Sequence, residues 1–222
     1  METLLNRISI CVEMGKVNAS TPYPPEMKGQ DGADELTKKA LDEGIKPEEI
    51  LNIALIPAME KVGQKFSEKK IFIPQMLMSA KAMTAAIEHL KPFFSSGEIK
   101  RKGKMILATV QGDLHDIGKN LVKMTIEGAG WEVIDLGVDV KTDRILQEID
   151  KNPKSIVGLS ALLTTTMQNM QSSVEAIKSK NPSTVILVGG APVNMDFCKK
   201  IGADFYSPDP QGAVKYLNEL NI

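Results

Sequence analysis

The residues best suited to chemistry in this 222-residue chain fall in one short run, VQGDLHDIGKN at 110–120. Asp113 precedes His115 by two residues, close enough to accept a hydrogen bond from one ring nitrogen and leave the other for a metal. That arrangement orients metal-bound histidines generally. The same run also reads as a polar turn whose aspartates cap the next helix. A second run, GLSALLTTTMQNM at 158–170, supplies Ser160, Thr164, Thr165 and Thr166, hydroxyls that can line an extended ligand or cap a helix. A third, LVGGAPVN at 187–194, places Gly189 and Gly190 where the backbone passes close to something flat or bulky.

Other chemistry is harder to assemble. The sequence has no GxGxxG, Walker A, HExxH or Ser-His-Asp pattern. Its two cysteines, Cys11 and Cys198, form no CxxC pair and read as free thiols. The other histidine, His89, reads as a solvated residue or cap near a helix end. One candidate histidine without a cysteine cluster does not make a self-contained zinc or iron site. A pre-formed metal complex needing a single protein ligand, such as a tetrapyrrole-like cofactor, fits better.

Two halves with different periodicities position these residues. Up to residue 94, apolar residues recur at three- and four-residue spacing. Leu4, Ile8 and Cys11 share one helix face, ending near Gly15. A Pro-, Gly- and Asn-rich loop follows, then a helix from about Ala33 to Leu41. Pro47 opens another, which Pro57 is expected to kink or divide because it lacks an N–H. Pro74 opens a long Ala- and Met-rich helix. This half is expected to be a helical bundle, 1–94, followed by a linker, 95–103.

From 104 to 222 the rhythm alternates. Short apolar strands are predicted at 105–110, 131–136, 155–160, from 184, and at 203–207, with helices near 117–129, 142–150, 166–180, 193–201 and 210–220. Such alternation predicts a doubly wound, five-stranded parallel sheet of flavodoxin-like or Rossmann-like type in an α/β protein. Ligands in such sheets bind outside the carboxyl ends of the strands, where the unusual runs lie.

Asp113-x-His115-x-x-Gly118, then Ser160-x-Leu162, then Gly189-Gly190 resembles the DxHxxG…SxL…GG signature of cobalamin-binding domains. The stretch AMEKVGQKFSEKKIFIPQMLMSAKAM at 58–83 resembles the helical cap of corrinoid proteins of methyltransferase systems and of methionine synthase. The resemblance implies a cobalamin bound base-off, with His115 as the lower cobalt ligand and Asp113 and Thr166 (where methionine synthase has a serine) tuning its proton load. Gly112, Leu114, Asp116, Ile117 and Gly118 would complete the histidine loop against the cofactor. Ser160, Leu162 and Thr164 would line its tail, Gly189, Gly190 and Ala191 would make room for it, and Phe72 and Met76 would cap its upper face.

The resemblance further implies a methyl shuttle cycling between cob(I)alamin and methylcobalamin, with no complete active site of its own. Its partners would be a substrate-specific methyltransferase, a second methyltransferase using tetrahydrofolate or a thiol, and a reductive activator of the cofactor. The segment from about 17 to 32 is absent from shorter members and resembles O-demethylase corrinoid proteins.

Composition agrees with an ordinary cytoplasmic globular protein. A net charge of −1, from 27 basic and 28 acidic side chains, argues against nucleic acid or an anionic membrane as main partner. No apolar run reaches the ~20 residues of a membrane span, and the N-terminus lacks the pattern of a signal peptide. Alternatives are a cobalamin-dependent sensor or transcription regulator, which needs a DNA-binding region, and a mutase cobalamin subunit, which lacks such a cap. A flavodoxin-like nucleotide binder would leave the histidine loop unexplained.

Overall fold

The structure is a computed structural model and describes residues 3–220. The chain divides into two compact units at Arg101 and Lys102, with Gly128–Gly130 grouped with the first.

The first unit is helical. Helix α1 (Leu4–Met14) is capped by the Thr3 hydroxyl at one end and by Gly15, at φ 74°, at the other. It buries Ile8, Cys11 and Val12, an i, i+3, i+4 stripe. The segment that follows is ordered by its own polar groups. Asn18 Oδ1 accepts from the Thr21 amide and hydroxyl, the buried Lys16 ammonium donates to the Thr21 carbonyl at 2.7 Å, and Pro25–Met27 form one 3₁₀ turn. Glu35, in helix α2 (Ala33–Asp42), accepts from the Ala19 and Gly32 amides, both 2.9 Å away, and so fastens this excursion to the helix start.

Pro57 does not divide its helix. Helix α3 (Pro47–Glu49) runs through a widened π-type segment, Ile50–Leu55, into α4 (Ile56–Ser67). The Ile56 amide reaches back five residues to the Leu51 carbonyl, so the wider turn lies immediately ahead of the proline that cannot donate. Helix α5 (Ile73–Ser95) begins with the Phe72 amide donating to Gln75 Oε1 at 2.9 Å. It buries Met76, Ser79, Ala80, Met83, Ala86, Ile87 and Leu90 along one face. His89 is not a solvated or capping residue: its Nε2 meets Asp34 Oδ1 at 2.6 Å, joining α5 to the first turn of α2.

The second unit is α/β. Strands β1 (Lys104–Thr109), β2 (Glu132–Asp135), β3 (Ile156–Ser160), β4 (Ile186–Gly189) and β5 (Phe205–Tyr206) form one parallel sheet in the order 2-1-3-4-5. Helices α6 (Ile117–Gly128), α7 (Thr142–Lys151), α8 (Met167–Lys180), α9 (Met195–Ile201) and α10 (Pro210–Glu219) connect the strands and close the chain. Buried runs such as Ile106–Ala108–Val110 and Val157–Leu159 pack against Ile145, Val174 and Ile177, each side chain contributing roughly 1.5–3 kcal/mol on burial. This strand order is the flavodoxin-like one, and it reverses direction between β1 and β3, where the crevice of such sheets opens. No helix among the described residues is long and apolar enough to cross a membrane.

Candidate functional site

The histidine loop leaves β1 at this reversal and turns tightly, the Asp113 amide donating to the Val110 carbonyl at 3.1 Å. Gly112 carries the turn at φ 83°, a left-handed conformation that favours glycine. Asp113 is fully buried while its neighbours Leu114 to Gly118 are all exposed. Its Oδ1 accepts from the His115 amide at 3.1 Å and from His115 Nδ1 at 2.8 Å. Its Oδ2 accepts from the Leu162 and Leu163 amides at 2.7 and 3.2 Å and faces the Thr166 hydroxyl at 2.7 Å.

Burial by itself raises the Asp113 pKa. Here the bonds from Thr166, the Leu162 amide and His115 outweigh it and hold the carboxyl well below the usual carboxylate range. An ionised Asp113 has no proton to donate, so the hydrogen in the 2.8 Å contact belongs to His115 Nδ1. In the neutral imidazole this tautomer leaves the free lone pair on Nε2, on a side chain half exposed at the sheet edge. The Thr109 hydroxyl fixes the loop from below by donating to the His115 carbonyl at 3.0 Å.

The loops at these strand ends also carry exposed apolar side chains. Leu114, Ile117, Val138, Leu162 and Leu163 are all exposed large hydrophobic residues. Gly118 faces open space, so nothing within the protein demands a glycine there. Gly190, in contrast, sits at φ 124° where a Cβ would collide with the Ala161 carbonyl. That glycine lets the loop after β4 approach the end of β3, a reason internal to the fold. Gly189 and Ala191 flank it, half-buried and exposed.

Other residues singled out in the sequence are placed differently. Ser160 closes β3, its carbonyl accepting from the Val110 amide at 3.0 Å, and Thr164 is exposed in the 3₁₀ turn Thr164–Thr166. Asp116 accepts from the Asn120 side chain at 3.0 Å across the first turn of α6. In the helical unit Phe72 is 65 % exposed, whereas Met76 is 1 % exposed and belongs to the bundle core. The two cysteines are free and buried, and burial pushes the Cys11 thiol up to about 11, which makes it unreactive. Sequence reasoning placed the loop after β2 at the binding edge without naming a residue in it, and it missed that the Leu162 and Leu163 amides hold Asp113.

Comparisons with known proteins identify the family. A family model described as a B12 binding domain matches residues 103–214, and a second with the same description matches residues 30–91. A corrinoid protein of Desulfitobacterium hafniense is 37 % identical over 196 residues, covering 86 % of this chain and 91 % of its own. A dimethylamine corrinoid protein of Methanosarcina acetivorans is 36 % identical over 188 residues, covering 84 % and 88 %. The methanol:cobalamin methyltransferase complex of Methanosarcina barkeri includes a chain that superposes with a TM-score of 0.80 at 27 % identity, over 98 % of this chain and 80 % of that one. The chain therefore belongs to the B12-binding corrinoid proteins of methyltransferase systems, and its cofactor is a cobalamin, which contains cobalt.

Proposed function

We propose that the chain holds cobalamin base-off, with His115 Nε2 as the lower cobalt ligand, and carries a methyl group between two methyltransferases. The observation that carries this reading is the buried Asp113 carboxylate, which is surrounded by donors and faces His115 Nδ1, so that the neutral imidazole presents Nε2 outward. The residues suit the cofactor in two further ways. A single imidazole nitrogen is the donor set a preassembled cobalt complex needs, because the macrocycle brings its own in-plane ligands. The exposed Leu114, Ile117, Leu162 and Leu163 offer apolar surface for a flat ring to cover.

When bound, the cobalt centre supplies a strong nucleophile that accepts a methyl group and later releases it to an acceptor. The protein's part is to position that centre and manage one proton. While His115 is a ligand, Nδ1–H donates to Asp113 and makes the imidazole a better base. Were His115 to leave the metal, Nε2 could accept a proton from solvent, and the Asp113 carboxylate would offset the resulting imidazolium charge. The Thr166 hydroxyl, 2.7 Å from Asp113 Oδ2 and 2.8 Å from the Leu163 carbonyl, keeps the carboxylate solvated throughout by donating to it. Ser160 and Thr164 line the path of the displaced tail, and the exposed Phe72 serves the cap.

The proposed partners are a substrate-specific methyltransferase, a second methyltransferase using tetrahydrofolate or a thiol, and a reductive activator of the cofactor, all cytoplasmic. Purified wild-type protein and His115→Ala are each mixed with hydroxocobalamin and freed of unbound cofactor before their absorption spectra are recorded. Wild type is expected to show histidine ligation and the variant to lose it. Wild type that retains no cofactor overturns the reading.

A further inference from the structure

The loop after β2 holds the histidine turn from behind, through one residue. We propose that Asp139 is a positioning residue that fixes the Gly112–Asp113 segment at both ends and thereby aims His115 Nε2, an inference that rests on the role proposed for His115. Asp139 Oδ1 accepts from the Gly112 amide at 2.7 Å, while the Asp139 amide donates to the Asp113 carbonyl at 2.9 Å. The two bonds bracket the Gly112–Asp113 segment, one at the amide entering it and one at the carbonyl leaving it. That segment carries the carboxylate on which His115 rests.

The clasp is built at a conformational cost. Asp139 sits at φ 53°, in the left-handed region that L-residues other than Asn and Asp seldom occupy. Nearby bonds hold it there. The Val140 amide donates to the Thr109 carbonyl and the Thr109 amide to the Gly137 carbonyl, both at 3.0 Å, so the loop is fixed to the end of β1 on either side of Asp139. Farther back, the buried Lys119 ammonium contacts Asp135 Oδ1 at 2.6 Å, and the same oxygen accepts from the Gly137 amide at 3.0 Å. Asp139 is exposed, and its carboxylate makes no other hydrogen bond or ion pair among the described residues. Packing therefore does not account for an aspartate in this conformation, and the hold on Gly112 does. Thr109 completes the frame, since its hydroxyl holds the His115 carbonyl.

Three substitutions separate conformation from hydrogen bonding. Asp139→Asn keeps an oxygen acceptor and tolerates the left-handed region, Asp139→Gly keeps the conformation without the acceptor, and Asp139→Ala loses both. In cofactor-free protein, Gly112 amide exchange measured by NMR is expected to rise roughly tenfold in the Gly and Ala variants, as for loss of one charge-assisted hydrogen bond, and to stay near wild type in Asn. In protein loaded with hydroxocobalamin, the histidine-ligated fraction of the retained cofactor should fall in the same two variants. The amount retained should stay near wild type in both, and the unfolding midpoint should do so in Asp139→Gly, whereas Asp139→Ala also carries the cost of a Cβ in the left-handed region. An Asp139→Gly variant equal to wild type in Gly112 exchange or in ligated fraction overturns the proposal alone, as does a loss of ligation that merely tracks a general loss of stability. A wild-type protein without the histidine-ligated spectrum overturns the reading of His115 on which the proposal rests.

Discussion

The two units each contain one histidine–aspartate pair, at nearly the same distance. In the helical unit His89 Nε2 lies 2.6 Å from Asp34, and in the α/β unit His115 Nδ1 lies 2.8 Å from Asp113. The aspartates differ: Asp34 is 41 % exposed, Asp113 is 0 % exposed and meets five donors. Solvent screens the first pair, which can only help join two helices. Buried donors lock the second carboxylate in its ionised form, and its histidine inherits one orientation and one free nitrogen. Surroundings, more than separation, turn such a pair into a candidate ligand site.

The largest expected effect comes from taking the charge out of the buried pair. Asp113→Asn brings an NH₂ group among donors and should lower the unfolding free energy by about 2–4 kcal/mol at neutral pH, read by chemical denaturation. The pH dependence has a definite sign. The folded pKa of Asp113 lies below its unfolded value of about 3.9, so its stabilisation is complete above about pH 5 and is lost as the pH falls below about 4. The part of the gap between wild type and Asp113→Asn that comes from the Asp113 carboxylate should therefore shrink as the pH falls below about 4; a gap that widens there contradicts the assignment.

The contrast between buried and exposed recurs at the start of α5. Met76→Ala should cost about 2–3 kcal/mol because it leaves a cavity in the bundle core. Phe72→Ala should change the cofactor-free stability by no more than about 0.5 kcal/mol. Comparable losses at both positions would mean that Phe72 is not the solvent-facing residue available for a cap. A similarly small effect belongs to the surface pair: Asp34→Asn should cost about 0.5 kcal/mol, shrinking in high salt. A cost as large as that of Asp113→Asn would erase the contrast between the pairs.

Much of this was legible in the sequence because it is local or periodic. Asp113 and His115 stand two residues apart, and the strand–helix alternation fixes a parallel sheet whose carboxyl edge collects the unusual runs. What escaped depends on distant backbone groups. The Leu162 amide lies 49 residues from Asp113 and the Asp139 carboxylate 27 from Gly112, and neither has a side-chain signature that names its partner. Pro57 misled for a related reason: the rule that proline breaks helices ignores a wider turn ahead of it. A glycine does not say whether it spares room for a ligand, as Gly118 can, or for another loop, as Gly190 does. Met76 shares its residue type with a cap but its burial with the core.

The most direct test of the central claim is electron paramagnetic resonance of the cobalamin-loaded protein in its cobalt(II) state, prepared with ordinary and with 15N-labelled histidine. If His115 is the axial ligand, the nitrogen splitting of the cobalt signal changes from a triplet to a doublet on labelling, and His115→Ala loses that split pattern. A triplet that persists in the labelled protein means that the cofactor's own base occupies the position, which would contradict the account.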